Sequence, residues 1–346
     1  MKKRGFEMQT HWIFILIAGA IILIFFFSIV AKQRSLSEQK LSISLASNIE
    51  AVFSGAVESK GTAQLLPIPR GGIDFSCSET CDCNFWIGDK STPFRDKIIF
   101  APSSVVDQPA VAWSNEWKMP FRVTNFLYIT NPNVKYYIVI GPQSQRLFER
   151  LNQTIPPGLN LAVLSGPGEV ADVPYEGFQE TKFVFLDVPD ADIDLESIDR
   201  DFRKKMVSGV NIHDETITFY EKYPDELVFE SDTSPFVGEP LLFAAVFAAD
   251  KQMYDCGLQA AFLKLNHVAE IIYGRTQAIQ QNLSITKPEC VYLLDSFDTL
   301  IADSGVVAAG LDISQTAGAV KNVAAAARSI ERENKNLIKL SCPEIY

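Results

Sequence analysis

The chain is short of the residues and motifs that catalysis most often uses. It has only three histidines, His11, His213 and His267, far apart along 346 residues. No G-x-S-x-G occurs, so the strained nucleophile turn of a hydrolase is missing. Gly166-Pro167-Gly168-Glu169 lacks the GK[ST] ending of a phosphate loop and reads as a turn. Positive charge is also scarce, with 31 basic against 42 acidic residues, or −11. Five of the basic residues and one acid lie in the first 34 positions, leaving 26 against 41, or −15, for the rest. So acidic a body disfavours a nucleic-acid partner. No repeat of solenoid period and no low-complexity tract is visible. With no constellation of nucleophile, base and orienting group, we expect no catalytic residue, no cofactor and no resident metal.

What the chain has in quantity is apolar residues, 47% of the total. Residues 12–31 read WIFILIAGAIILIFFFSIVA, without a charge. As a helix they would rise about 30 Å, the thickness of a bilayer's hydrocarbon core. The run is too long for a cleaved signal peptide, and Ser28-Ile29-Val30-Ala31 is a poor cleavage site. Lys2, Lys3 and Arg4 before the span outnumber Lys32 and Arg34 after it, which places the N-terminus inside and the body outside the cell membrane. Six cysteines agree with an oxidising compartment. Two acceptor sequons, at Asn152 and Asn282, agree with export.

Beyond the span, Leu41, Leu45, Ile49, Val52, Phe53 and Ala56 keep helical spacing. One helix from about Gln9 to Val57 should leave the bilayer as a stalk, its apolar face packed on the body or on another subunit. The partners expected are therefore the lipid bilayer and, through the stalk, a second copy or another surface protein.

The basic start, Gly5-Phe6, an acid and a long apolar helix resemble the class III signal of type IV pilin-like proteins. That resemblance implies cleavage by a prepilin peptidase between Gly5 and Phe6. The pattern departs from the bacterial one: Glu7 falls at the second mature position rather than the fifth, and Gln9, Thr10 and His11 interrupt the apolar run. IIFAP, AWSNEWKMPFRVTNFLYIT and the closing LSCPEIY resemble membrane-anchored proteins of small-genome archaea, which implies a cell-surface location and carries no reaction with it.

The body reads as α+β, behind the transmembrane and stalk helix. We divide the chain into a basic N-terminus (1–11), the span (12–31), the stalk (32–58), a β-rich segment (59–133), an α/β domain (134–230) and a C-terminal antiparallel helical bundle (231–346). In the α/β domain VKYYIVI, LNLAVL and TKFVFLDV read as strands covered on both faces. LESIDRDFRKKMV reads as a helix with acids before it and bases at its end.

Asp187, Asp190, Asp192, Asp194, Glu196, Asp199 and Asp201 form the densest acidic run. A calcium loop starting at Asp190 would need Gly and Glu where Leu195 and Asp201 stand, and helix capping by Asp192 or Asp194 explains the same acids. His213 and His267 read as a turn residue and a helix-boundary residue. Trp86, Trp113, Trp117, Phe121, Phe126 and Tyr128 could line a groove but read as core.

Cys77-x3-Cys81-x-Cys83 could bind a metal, but it has no histidine nearby, and thiols on the exported side pair. Helix lengths suggest how. Cys256 opens a first long helix and Cys290 follows its far end, so those two are too distant to bond. In an up-down-up bundle the third helix brings Cys342 back to the level of Cys290. Cys256 is then left for the cluster, and Cys77 pairs with Cys81 or Cys83. The whole is expected to be a single-pass, extracytoplasmic structural or interaction protein without catalytic activity. The alternative is a membrane-tethered enzyme or ligand-binding protein using residues 134–220.

Overall fold

The computed structural model describes residues 6–58, 61, 63–68, 71–94, 96–107, 109–213, 216–283, 287–292, 294–310 and 313–346. It is a mixed α+β structure whose β-rich sheets precede a helical C-terminal region. A single helix, α1 (Phe6–Glu58), opens it. Eight strands follow: β1 (Gln64–Leu66), β2 (Ile73–Cys77), β3 (Cys83–Ile87), β4 (Lys90–Pro93), β5 (Ile98–Phe100), β6 (Ser104–Val105), β7 (Ala110–Lys118) and β8 (Arg122–Thr130). They form two four-stranded sheets, in the orders β1-β7-β8-β5 and β4-β3-β2-β6. The first is built on the long β7–β8 antiparallel pair, and β5 joins β8 in parallel.

The next six strands make one sheet: β9 (Val134–Ile140), β10 (Asn160–Leu164), β11 (Glu180–Leu186), β12 (Met206–His213), β13 (Thr216–Lys222) and β14 (Phe229–Pro235). Its order is β10-β9-β11-β12-β13-β14, the first four strands parallel and the last two antiparallel. The helix α2 (Gln145–Thr154) links β9 to β10. Tyr136, Ile138, Val184 and Leu186 face the main core, while Tyr137, Val139, Phe183 and Phe185 enter a second apolar cluster on the opposite face. The apolar-throughout runs are thus covered on both sides, as parallel strands require.

The stretch expected as a helix after β11 is not one. Residues Asp190–Asp192 and Arg200–Lys204 make single 3₁₀ turns, and β12 begins at Met206. The carboxylates explain the break. Asp194 Oδ1 accepts the backbone N–H groups of Glu196 and Ser197, and Asp199 Oδ1 accepts that of Asp201. Aspartates that capture N–H groups two or three residues on favour turns over continuous helix. Leu195, Ile198 and Phe202 still cover the sheet from these turns.

The C-terminal region starts with a strand. The boundary expected at 230/231 falls inside β14, which completes the six-stranded sheet. Next comes α3 (Glu239–Phe247), where Leu241, Leu242, Phe243, Ala244, Ala245, Val246 and Phe247 are all buried. A helix apolar on every side belongs in a core, and α3 packs on β5, β7 and β8 of one four-stranded sheet and on β12 of the six-stranded sheet. Then α4 (Lys251–Leu283), α5 (Asp295–Ala308) and α6 (Ile313–Lys339) run up, down and up. Asn266 of α4 donates to Ile301 O of α5, and Tyr273 stacks obliquely on Phe297. The chain end folds back: Arg275 donates to Ile345 O, Ile345 N donates to Asn334 Oδ1, and Tyr346 meets Phe121. One apolar cluster therefore joins α1, the β-rich sheets, one face of the six-stranded sheet and the helices.

Candidate functional site

Two halves of α1 meet different surroundings. Towards its C-terminal end Ala46, Phe53 and Ala56 are buried, with Leu45, Ile49 and Val57 partly so. These positions recur every three or four residues and so share one face. Phe53, 1% exposed, packs its ring against Phe75 and Phe85. Asn125 Nδ2 ties the end of the helix by donating to Val57 O at 2.7 Å. The stripe is rotated slightly from the expected one: Ala46 is inside and Val52, 37% exposed, is not. The side chain of Leu41 lies outside the described residues.

The other half carries a bare apolar surface. Every described side chain from Ile13 to Ile29 is exposed, Leu16 at 70% and Phe27 at 73% among them. Among the described residues no helix is long and apolar enough to cross a membrane. The expected span has Trp12, Phe14, Val30 and Ala31 outside the residues whose side chains are described. The same holds for Lys2, Lys3, Arg4, the expected processing residue Gly5 and the side chain of its neighbour Phe6.

All six cysteines are bonded. Cys77 pairs with Cys83 across the β2–β3 hairpin, Cys81 with Cys256 on α4, and Cys290 with Cys342. The last pair has Cα atoms 5.7 Å apart and ties the connection between α4 and α5 to the segment after α6. The Sγ atoms of Cys77, Cys83 and Cys256 lie within 4.8 Å of one another, but each is used in a disulfide and offers no thiolate. Asn152 and Asn282 are both exposed, as sequons must be to accept glycan.

The acidic run starts at the carboxyl edge of the parallel strands and follows the β11–β12 connection across the sheet to the amino end of β12. Asp187, directly after β11, accepts through Oδ1 from His213 Nδ1 at 2.7 Å, His213 being the last residue of β12. Asp190 Oδ1 accepts from Asn211 Nδ2 and from Tyr220 Oη. Asp194 and Asp199 hold turns as described. The acids therefore serve local structure at separate points. His267 is exposed on α4, and Gly166 precedes a 3₁₀ turn, Pro167–Asp172. Of the six aromatics named above, Trp113, Trp117, Phe121, Phe126 and Tyr128 are core, while Trp86 is 39% exposed.

A polar site unforeseen from the sequence lies at the opposite, amino edge. Glu180 and Lys182 start β11 and are both buried. Burial pushes the Glu180 carboxyl up to about 7, against the pull of the Lys182 ammonium, and the backbone N–H of Ser103 donates to it. Burial likewise draws Lys182 down to about 8, opposed by Glu180, Asp250 and Glu221. Lys182 Nζ donates to Ala248 O. Strand pairing sets Lys182 opposite Ser208 and Ser208 opposite Glu221, forming one polar row across three strands. Ser208 Oγ is buried without a hydrogen-bond partner. A groove of about 320 Å³ opens here, between Ser103, Glu180, Ser208, Glu221 and the α3–α4 corner at Ala249. The sequence signal was available: Glu and Lys two apart share one face of a strand that is otherwise apolar. No family model, curated protein or solved structure matches the chain.

Proposed function

We propose that the protein is a single-pass membrane-anchored, extracytoplasmic structural or interaction protein, with residues 12–31 of α1 in the lipid and the body displayed outside the cell. The observation that carries this reading is the asymmetry of α1: one helix is packed on the body at Phe53 and bare on all sides around Leu16 to Phe27. So large an apolar surface needs a lipid or protein cover. Three disulfides and no free cysteine suit the oxidising side of a membrane. The basic residues before the span favour the same orientation. By its likeness to pilin-like starts, the chain would be a substrate for cutting after Gly5, and the stalk would mediate self-association or docking to surface partners.

Alkaline extraction and flotation test the anchor. Full-length protein should stay in the membrane fraction at high pH, and a chain beginning at Ile43 should be released. A full-length chain extracted at high pH would overturn the proposal.

A further inference from the structure

We propose that Cys77, Cys81, Cys83 and Cys256 form a thiol–disulfide exchange centre, in which a small external thiol attacking the Cys77–Cys83 bridge sets off the transfer of Cys256 from Cys81 to Cys83. The two bridges sit against each other. The Sγ atoms of Cys77, Cys83 and Cys256 lie within 4.8 Å of one another, a gap that rotation of one cysteine side chain can close. Cys81 Sγ, bonded to Cys256, is outside that triangle. The sulfur that both atoms of the first bridge can reach is therefore Cys256, with Cys81 as its leaving group. Access from solvent favours the same order. Cys77 and Cys83 are half-buried, whereas Cys256 is 4% exposed and is met from inside.

The exchange takes three displacements and balances without an oxidant or a reductant. The external thiolate attacks Cys77 Sγ, forms a mixed disulfide there and releases the Cys83 thiolate. Cys83 attacks Cys256 Sγ, forms Cys83–Cys256 and releases the Cys81 thiolate. Cys81 then attacks Cys77 Sγ, forms Cys77–Cys81 and returns the external thiolate. Two disulfides are present at the start and two at the end.

Local structure supports the later steps. Gln252, in the first turn of α4, donates through Nε2 to Cys256 Sγ at 3.2 Å and stands 4.0 Å from Cys81 Sγ, where the second displacement places a negative charge. An N–H donor and a helix amino end both favour a thiolate there. Cys81 N donates to Ser78 O at 2.9 Å, so one tight turn joins Cys77 to Cys81 and sets them up to pair. The other exchanged pairing, Cys77 with Cys256, would force a bridge from Cys81 to Cys83 across Asp82 alone. After transfer α4 is tied to β3 rather than to the turn, and the exposed Ser78, Glu79 and Thr80 form a surface with two covalently distinct states.

Peptide mapping of the detergent-solubilised full chain without reduction, after exposure to substoichiometric cysteamine under anaerobic conditions and an acid quench, tests this. Cleavage before Asp82 parts Cys77 and Cys81 from Cys83, so the two pairings give different linked peptides. The expected result is a new Cys83–Cys256 linkage with Cys77–Cys81 closed within one peptide, while Cys290–Cys342 stays as it was. Cys77→Ser leaves Cys83 a standing thiol beside Cys256, and that chain should show Cys83–Cys256 with no thiol added. Cys256 linked to Cys81 alone in either chain, or rearrangement that reaches Cys290–Cys342 at the same rate, would overturn the proposal. The membrane anchor does not enter this measurement, so its outcome is separate from that of the extraction.

Discussion

Residues 13–29 and 43–58 belong to the same unbroken helix and are both rich in aliphatic side chains, yet their exposure patterns differ. The second stretch alternates: Ala46, Phe53 and Ala56 go in, and Ser47, Ser54 and Gly55 stay out. The first has no polar side to present, and all its described side chains lie outside. A helix with a stripe is specified by a protein surface that can read the stripe. A helix apolar all round has no such reader on the body, and the lipid proposed above would cover it equally from every direction.

Several substitutions would break this contrast from one side only. If the proposed span is in lipid, the largest effect should come from Ile22→Asp combined with Phe26→Lys, since two charges at the centre of a span cost on the order of 5–7 kcal/mol of insertion. Membrane fractionation should show the protein lost from the bilayer, while the thermal midpoint of the body is unchanged. Phe53→Ala should do the reverse. Removing a buried ring at the Phe75–Phe85 contact costs about 3–5 kcal/mol of folding stability, measured by denaturant unfolding, and insertion should be unaffected.

The covalent ties refine the comparison within the body. Cys81→Ser with Cys256→Ser opens a connection spanning 175 residues, against 52 for Cys290 and Cys342. Each should cost roughly 2–4 kcal/mol, the first more than the second on the chain-entropy account. Matched unfolding curves of the two double variants measure the difference.

The smallest effect expected is a pH dependence at the buried pair. Glu180 is raised from 4.5 to about 7, so its contribution to stability is present below pH 4.5 and is lost as pH rises through 7. Lys182 is lowered from 10.5 to about 8, so its contribution is present above 10.5 and is lost as pH falls through 8. Stability should therefore dip between about pH 7 and 8 relative to the variant Glu180→Gln, Lys182→Met. Thermal midpoints of the two chains across pH 5–9 give the profile, and parallel profiles would contradict it.

The long periodic elements were legible in the sequence because they depend on local repetition. The stalk stripe, the strands VKYYIVI and TKFVFL and the three C-terminal helices each carry several turns or pleats of consistent signal. From the helix lengths followed the proximity of Cys290 and Cys342. What failed was decided by side chains acting on their own backbone, as at Asp194 and Asp199, where a plausible helical charge pattern gives way to turns. Other features depend on distant partners. β14 has little apolar content, with Glu230, Ser231, Asp232, Thr233 and Ser234, and is a strand because β13 pairs with it. The choice of Cys81 rather than Cys77 or Cys83 for Cys256 rests on how the β2–β3 hairpin meets α4. The Glu180 groove is likewise assembled from a loop, two sheet strands and a helix corner that lie far apart in the chain.

In the proposed topology α1 carries the body on the outer side of a lipid bilayer. Protease added to intact cells expressing the chain with an epitope after Tyr346 is the sharpest test. The epitope should be removed without lysis, leaving a short membrane-bound fragment that contains residues 12–31. An epitope protected until the cells are broken, or a chain recovered intact in the soluble fraction, would contradict it.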